Sequence, residues 1–195
     1  QMIYELGLLV LREACQMIRR MMDAGHSAVG IAVNVSGLQL LRDEFITDTT
    51  DAAETAGIPL SHLEFEITES VLLVNYELIN EKLNQIRDMG MTVSVDDFGT
   101  GFSSLARLHE LNIDSVKVDR YFVQRIRSPH DETLIISDII SLAHKTGLSV
   151  VAEGVEDEHQ KLFLERHDCD VIQGYWLSRP LPEEDAISFL RRRRA

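Results

Sequence analysis

The sequence predicts an α/β fold, a TIM-like barrel of parallel strands that is incomplete at its N-terminus. Short apolar runs rich in Val and Ile alternate with segments of helical periodicity. Six of these runs end in a carboxylate, an amide or a lysine, and catalytic barrels carry their polar groups at the C-terminal ends of the strands. About six strands are predicted, whereas a closed barrel of this type has eight.

Each element has its own local signal. Apolar residues recur at helical spacing from Ile3 through Leu6, Val10 and Ala14 to Met21, and Gly25 ends this first helix. The predicted strands are 31–36, 63–68, 91–97, 115–119, 148–153 and 171–174. The predicted helices between and after them lie at about 37–56, 75–90, 105–109, 132–145, 156–166 and 182–193. Right-handed crossovers then bring all the strand ends to one side of the sheet.

An open doubly wound sheet is the alternative architecture. It is disfavoured because the GxGxxG fingerprint and the P-loop pattern are both absent. Several consecutive strand ends carry acids instead, which favours the barrel. We expect the 195 residues to form one domain.

Composition argues against several classes of function. The net charge of −13 disfavours binding to duplex nucleic acid, which requires clustered Lys and Arg. No apolar stretch reaches the roughly 20 residues of a membrane span, and no secretory signal is visible. Cys15 and Cys169 form no CxxC pair. We therefore expect a cytoplasmic domain, which a larger parent protein can still anchor to a membrane.

The polar strand ends suggest a site when they are taken together. Singly, Asn34 can cap a helix, Glu66 can be an acid at a helix start, and Lys117 can be a surface lysine. The adjacent Asp96 and Asp97 are harder to explain in this way, because two carboxylates at a buried strand end are costly without a cation. The joint pattern therefore favours an active site at one rim.

Oxygen donors dominate this set, and they suit Mg²⁺ or Mn²⁺. Zinc is not indicated, since the histidines show no paired spacing. A pair of divalent ions sharing Asp96 would activate water toward a phosphodiester, and Lys117 would hold that water or offset developing charge.

These residues lie in segments that closely resemble the EAL domain, the bacterial phosphodiesterase module for cyclic di-GMP. The segments are NVS from Asn34, EITE from Glu66, DDFGTGFSSL from Asp96, KVD from Lys117, AEGVE from Ala152 and QGY from Gln173. The resemblance covers nearly the whole chain and implies hydrolysis of cyclic di-GMP to linear pGpG. It also implies two Mg²⁺ or Mn²⁺ ions, inhibition by Ca²⁺, a homodimer, and a sensory or GGDEF domain upstream.

The resemblance implies a role for each matching residue. The implied metal ligands are Asn34, Glu66, Asp96, Asp97 and Glu153. The implied catalytic residues are Glu153 as metal ligand or general base, Lys117 as the water-orienting lysine, and Asp119 as its neighbouring acid. Glu69 would brace the FGTGFSS loop, whose Gly99 and Gly101 suit movement. The implied substrate contacts are Glu156, Gln173 and Tyr175.

The sequence departs from the family pattern at its start, because the Glu-Ala-Leu motif and its following arginine are absent. Phe102 also replaces the more usual tyrosine in the loop. The missing glutamate would be a metal ligand, so a non-catalytic module that binds cyclic di-GMP or a protein partner stays open as an alternative. An unrelated barrel hydrolase acting on another phosphodiester is the third hypothesis.

Overall fold

Six parallel β-strands alternate with helices in the computed structural model, which describes residues 2–73, 76–99, 111–131 and 135–193. The strands follow one another in the sheet in chain order. They are β1 (Ile31–Asn34), β2 (Leu63–Thr68), β3 (Thr92–Phe98), β4 (Ser115–Val118), β5 (Ser149–Ala152) and β6 (Val171–Ile172). The predicted α/β fold with about six parallel strands is therefore confirmed.

The α-helices of the described residues lie between and around these strands. They are α1 (Met2–Asp23), α2 (Gly37–Leu40), α3 (Phe45–Ala56), α4 (Tyr76–Asp88), α5 (Arg120–Val123), α6 (Ile135–Lys145), α7 (Glu158–Arg166) and α8 (Glu183–Arg193). Short 3₁₀ helices span Leu60–His62 and Glu69–Leu73. The helix predicted at 105–109 lies outside the described residues. None of the described helices is long and apolar enough to cross a lipid bilayer.

Several predicted boundaries were wrong, because local capping ends an element earlier than its apolar pattern. The first strand stops at Asn34 rather than at residue 36, since Ser36 is the N-cap of α2 and forms a capping box with Gln39. The single helix predicted over 37–56 is two helices. Asp43 lies in the break between them, as suits a residue that favours turns.

The described residues divide into two compact units. The first contains residues 2–67, 76–93 and 180–193, and the second contains residues 68–73, 94–99, 111–131 and 135–179. In the first unit, α1 packs against α3 and β1. In the second, β4 pairs with β3 on one side and with β5 on the other, and all four of its residues are buried.

The helix α1 is confirmed, but the apolar residues that predicted it are only partly buried. Ala14 and Met21 are buried, but Ile3, Leu6 and Val10 are about half exposed. These three residues line a groove of about 580 Å³ in the first unit, together with the β1 residues from Ile31 to Asn34. Periodicity identifies a helix but does not say which of its apolar residues meets a neighbour.

Candidate active site

A buried lysine lies between two carboxylates in the second unit. Lys117 of β4 is 4% exposed. Its Nζ lies 2.8 Å from Glu153 Oε1 and 3.3 Å from Asp96 Oδ1. Asp96 is on β3, and Glu153 directly follows β5, where its N–H donates to the Val118 carbonyl at 3.0 Å. The ends of three neighbouring strands therefore converge on one ion-pair cluster.

A bulge in β3 presents Asp96 and Asp97 together. Val95 pairs with Val116 and Phe98 pairs with Val118, so three steps along β3 oppose two along β4. Asp97 has a φ of 56°, the left-handed region that non-glycine residues rarely adopt. Bulges of this kind often re-aim side chains beside active sites.

The electrostatics of Asp97 show a concentration of negative charge. Its pKa is raised by burial, then by the charges of Asp96 and Asp119, while Lys117 opposes the shift. Asp119 also has a structural role, because its Oδ1 accepts the Tyr121 N–H at 2.8 Å and so caps α5. A cation near these acids would relieve their mutual repulsion.

Glu69, the predicted loop-bracing residue, makes a defined contact. Glu69 is buried, and its Oε2 accepts the N–H of Gly99 at 3.2 Å. Gly99 has a φ of 91°, and a Cβ at this position would lie 2.9 Å from the Phe122 ring. Glu69 and α5 thus both fix the backbone at the end of β3. Gly101 and Phe102 lie outside the described residues.

Asn34 and Glu66 form a pair in the first unit. They are register partners on the parallel strands β1 and β2. Glu66 is buried, whereas Asn34 is exposed.

Two of the three predicted substrate contacts lie near Glu153, Glu156 along the chain and Gln173 through its backbone bond to Ala152. Gln173 follows β6, donates its N–H to the Ala152 carbonyl at 2.8 Å and accepts the Val155 N–H at 3.0 Å. Tyr175 is half exposed, and the Arg179 guanidinium lies 4.5 Å from its ring centroid. The side chain of Glu156 is exposed. All three predictions of substrate contact stay predictions.

The side-chain oxygens of the cluster suit a hard divalent cation, although the acids of the described residues are not close enough together to enclose one. In the described part of the chain, no three His, Cys, Asp or Glu side chains are grouped to hold a metal ion. The acids Asp96, Asp97, Asp119 and Glu153 nevertheless supply only oxygen donors. The pKa of Asp97 is raised by burial first and then by the negative charges of Asp96 and Asp119, which a cation would neutralise. Lys117 already compensates part of that charge.

Two contributors to this rim were not predicted. One is α5, which follows Asp119 and packs against Gly99, and its signal in the sequence was the capping aspartate. The other is Gln160 of α7, whose signal was the capping-box pattern D-x-x-Q from Asp157.

Comparison with known proteins identifies the family. Residues 1–180 match the EAL domain. The chain belongs to the EAL domain family. The resemblance seen in the sequence is therefore confirmed.

Two Pseudomonas aeruginosa proteins are among the curated relatives of this EAL domain. The cyclic di-GMP phosphodiesterase NbdA is 42% identical over 190 residues, which cover 97% of the chain and 24% of NbdA. The bifunctional diguanylate cyclase/cyclic di-GMP phosphodiesterase MucR is 38% identical over 187 residues, which cover 96% of the chain and 27% of MucR. The chain thus spans about a quarter of the length of these relatives.

Solved EAL structures share the fold. The MucR phosphodiesterase in complex with cyclic di-GMP gives a TM-score of 0.87 at 38% identity, covering 95% of this chain and 75% of that one. Klebsiella pneumoniae BlrP1, in a complex with manganese and cyclic di-GMP, gives a TM-score of 0.81 at 26% identity, covering 92% of this chain and 45% of that one. A calcium complex of BlrP1, at 24% identity, matches in fold.

Proposed function

We propose that the protein hydrolyses cyclic di-GMP to linear pGpG in a metal-dependent reaction. The observation that carries this proposal is the buried Lys117 held between Asp96 and Glu153 at the rim where β3, β4 and β5 end. Relatives that are about 40% identical are named as cyclic di-GMP phosphodiesterases, which supports the choice of substrate. Structures of relatives hold the same dinucleotide.

Asp96, Asp97 and Glu153 would hold Mg²⁺ or Mn²⁺ in the second unit, and the side-chain oxygens of Asn34 and Glu66 are the proposed ligands in the first. Such ions stabilise the negative charge that develops on phosphoryl oxygens, and calcium in their place would inhibit. Water adds to one phosphorus and the P–O3′ bond breaks, which leaves a 5′-phosphate and a free 3′-hydroxyl on the linear product.

Lys117 would orient the attacking water through its N–H donors. Its ammonium group has little freedom to move, because it is buried and bonded to Glu153. A cation held rigidly in this way needs no reorganisation as charge develops in the transition state. Glu153 in turn would accept the proton released by the water, as a carboxylate within reach of the same lysine.

The test is Mn²⁺-dependent formation of pGpG, followed by anion-exchange chromatography. We expect Glu153→Ala to lower kcat by at least about 100-fold, as loss of a proton-transfer group does. The matched control is Glu165→Ala, which removes a carboxylate from the exposed pair with Lys161 and should leave turnover unchanged. Full turnover in Glu153→Ala would overturn its assigned role.

The alternative functions give different outcomes when cyclic di-GMP binding and the hydrolysis of simple diesters are measured beside pGpG formation. Binding of cyclic di-GMP without hydrolysis would indicate a non-catalytic module, and hydrolysis of simple diesters without preference for cyclic di-GMP would indicate another phosphodiesterase.

The proposal extends to the protein of which this domain is a part. The matched region covers only 27% of MucR, so we propose that the domain works within a larger signalling protein. The resemblance to the EAL domain supports the further proposal that it works as a homodimer.

A further inference from the structure

Gln160 uses both ends of its side-chain amide. It lies in the first turn of α7 and is 4% exposed. Its Oε1 accepts the N–H groups of Glu156 at 2.7 Å and Asp157 at 3.1 Å. Its Nε2 donates to the carbonyl of Val123 at 3.4 Å. One buried side chain thus connects the segment before α7 with the end of α5.

The segment before α7 is the loop that begins at Glu153. The Glu153 N–H donates to β4. The Val155 N–H donates to the Gln173 carbonyl, and the Val155 carbonyl accepts the Trp176 N–H. The last two amides of the loop, those of Glu156 and Asp157, are held by Gln160. Gln160 therefore fixes the far end of the loop that carries the proposed proton acceptor.

The contact that Gln160 makes with Val123 is at the end of α5, the helix that follows Lys117 in the chain. The helix α5 directly follows Asp119, which is two residues beyond Lys117. A second contact reinforces the link, because the ring Nε2 of His159 donates to the Ile126 carbonyl at 3.0 Å. Gly154 packs against α5 as well, since a Cβ there would lie 2.5 Å from the Cβ of Arg120.

We propose that Gln160 is a positioning residue for the phosphodiesterase reaction. It ties the 153–157 loop to α5 and so keeps the Glu153 carboxylate in register with the Lys117 ammonium. The inference rests on the proposed function. A helix cap alone would need only the Oε1 acceptor, so the bond from Nε2 to Val123 is what separates positioning from capping.

Two substitutions separate these roles. Gln160→Glu keeps an acceptor for the two loop amides but sets a carboxylate against the Val123 carbonyl, which needs a donor. Gln160→Met keeps the approximate volume and removes all three hydrogen bonds. The control is Asp170→Ala in the same unit. Asp170 accepts the Val150 N–H at 2.8 Å near the start of β5, away from Glu153.

The measurements are kcat and KM for cyclic di-GMP with Mn²⁺, thermal unfolding, and hydrogen exchange of the 153–157 amides. We expect kcat to fall about 30-fold in Gln160→Met and about 5-fold in Gln160→Glu, because small misplacements of a catalytic group cost up to about 100-fold. KM should change less than kcat. The Glu156 and Asp157 amides should lose protection in Gln160→Met and keep it in Gln160→Glu.

Asp170→Ala should lower the unfolding temperature while leaving kcat within about 2-fold of wild type, since its contacts lie outside the rim. Equal kcat in Gln160→Met and Asp170→Ala would overturn the inference, and so would wild-type kcat in Gln160→Glu. An inactive wild-type protein would overturn the proposed function and the inference together. An active wild type with an unaffected Gln160→Met would overturn the inference alone.

Discussion

Replacing Lys117 by Met should destabilise the metal-free protein strongly. The lysine side chain is 5% exposed, and its partners Asp96 and Glu153 are 16% and 19% exposed. Removal of one partner from a buried charge cluster costs about 3–5 kcal/mol, because the remaining charges stay desolvated and uncompensated. Both carboxylates retain some contact with solvent. We therefore expect a loss of about 3 kcal/mol in the free energy of unfolding, at the lower end of that range.

The assay is urea unfolding at pH 7 in the presence of EDTA, followed by circular dichroism. The matched control is Lys161→Met, which breaks the exposed i,i+4 pair with Glu165 and should cost no more than about 0.5 kcal/mol. Mn²⁺ added in excess of the EDTA should recover more stability in Lys117→Met than in the wild type, because the acids have lost the positive charge of the lysine. A loss no larger than that of Lys161→Met would refute the reasoning.

Three further predictions test other parts of the second unit and its surroundings. Gly99→Ala should destabilise the protein more than Gly90→Ala, since both have a φ near 90° but only the former would place its Cβ 2.9 Å from Phe122; urea midpoints of both variants test this. The pKa of Asp170 is lowered: burial opposes the shift, but the bonds from His144 and from the Val150 N–H outweigh it. Its contribution to stability should therefore be present at neutral pH and lost as the pH falls below 3.8, the ordinary value, so that Asp170→Asn and the wild type converge in acid. Burial raises the pKa of the Cys169 thiol to about 11, so iodoacetamide at pH 8 should alkylate it about 100-fold more slowly in the folded protein than in urea.

The strands were predictable from the sequence because buried parallel strands are continuous apolar runs. The strand β2 spans the predicted residues 63–68 in full. The ends of the other strands differed by one or two residues. At the ends of β1 and β6, Ser36 and Gly174 start new local conformations that apolar patterning does not record. The face of α1 that packs was not predictable either. That choice depends on which neighbour covers each residue, and the order of residues along one helix does not contain this information.

The members of the ion-pair cluster could be named from the sequence, but their contacts could not be predicted. Polar residues at the ends of apolar runs pointed to Asp96, Lys117 and Glu153 individually. The bond from Lys117 to Glu153 depends on the register between β4 and β5, in which Lys117 pairs with Val151. The reach of Gln160 to Val123 joins residues 37 positions apart. Short-range patterns do not report contacts across such separations.

The residues at the ends of β3, β4 and β5 have properties that suit a catalytic role better than a stabilising one. A buried lysine with two carboxylates is weak evidence for stability, since well-packed apolar residues of similar volume are often as stabilising. Next to this cluster, Asp97 adopts a left-handed backbone conformation and has a pKa raised by burial and by its acidic neighbours. Strained backbone and perturbed acids concentrate at functional sites, where the rest of the fold holds them in place. The buried ion-pair cluster, the left-handed backbone of Asp97 and its raised pKa all lie at one rim of the second unit, and each is unfavourable for folding. A purely structural role for Lys117 would not explain the backbone strain at Asp97.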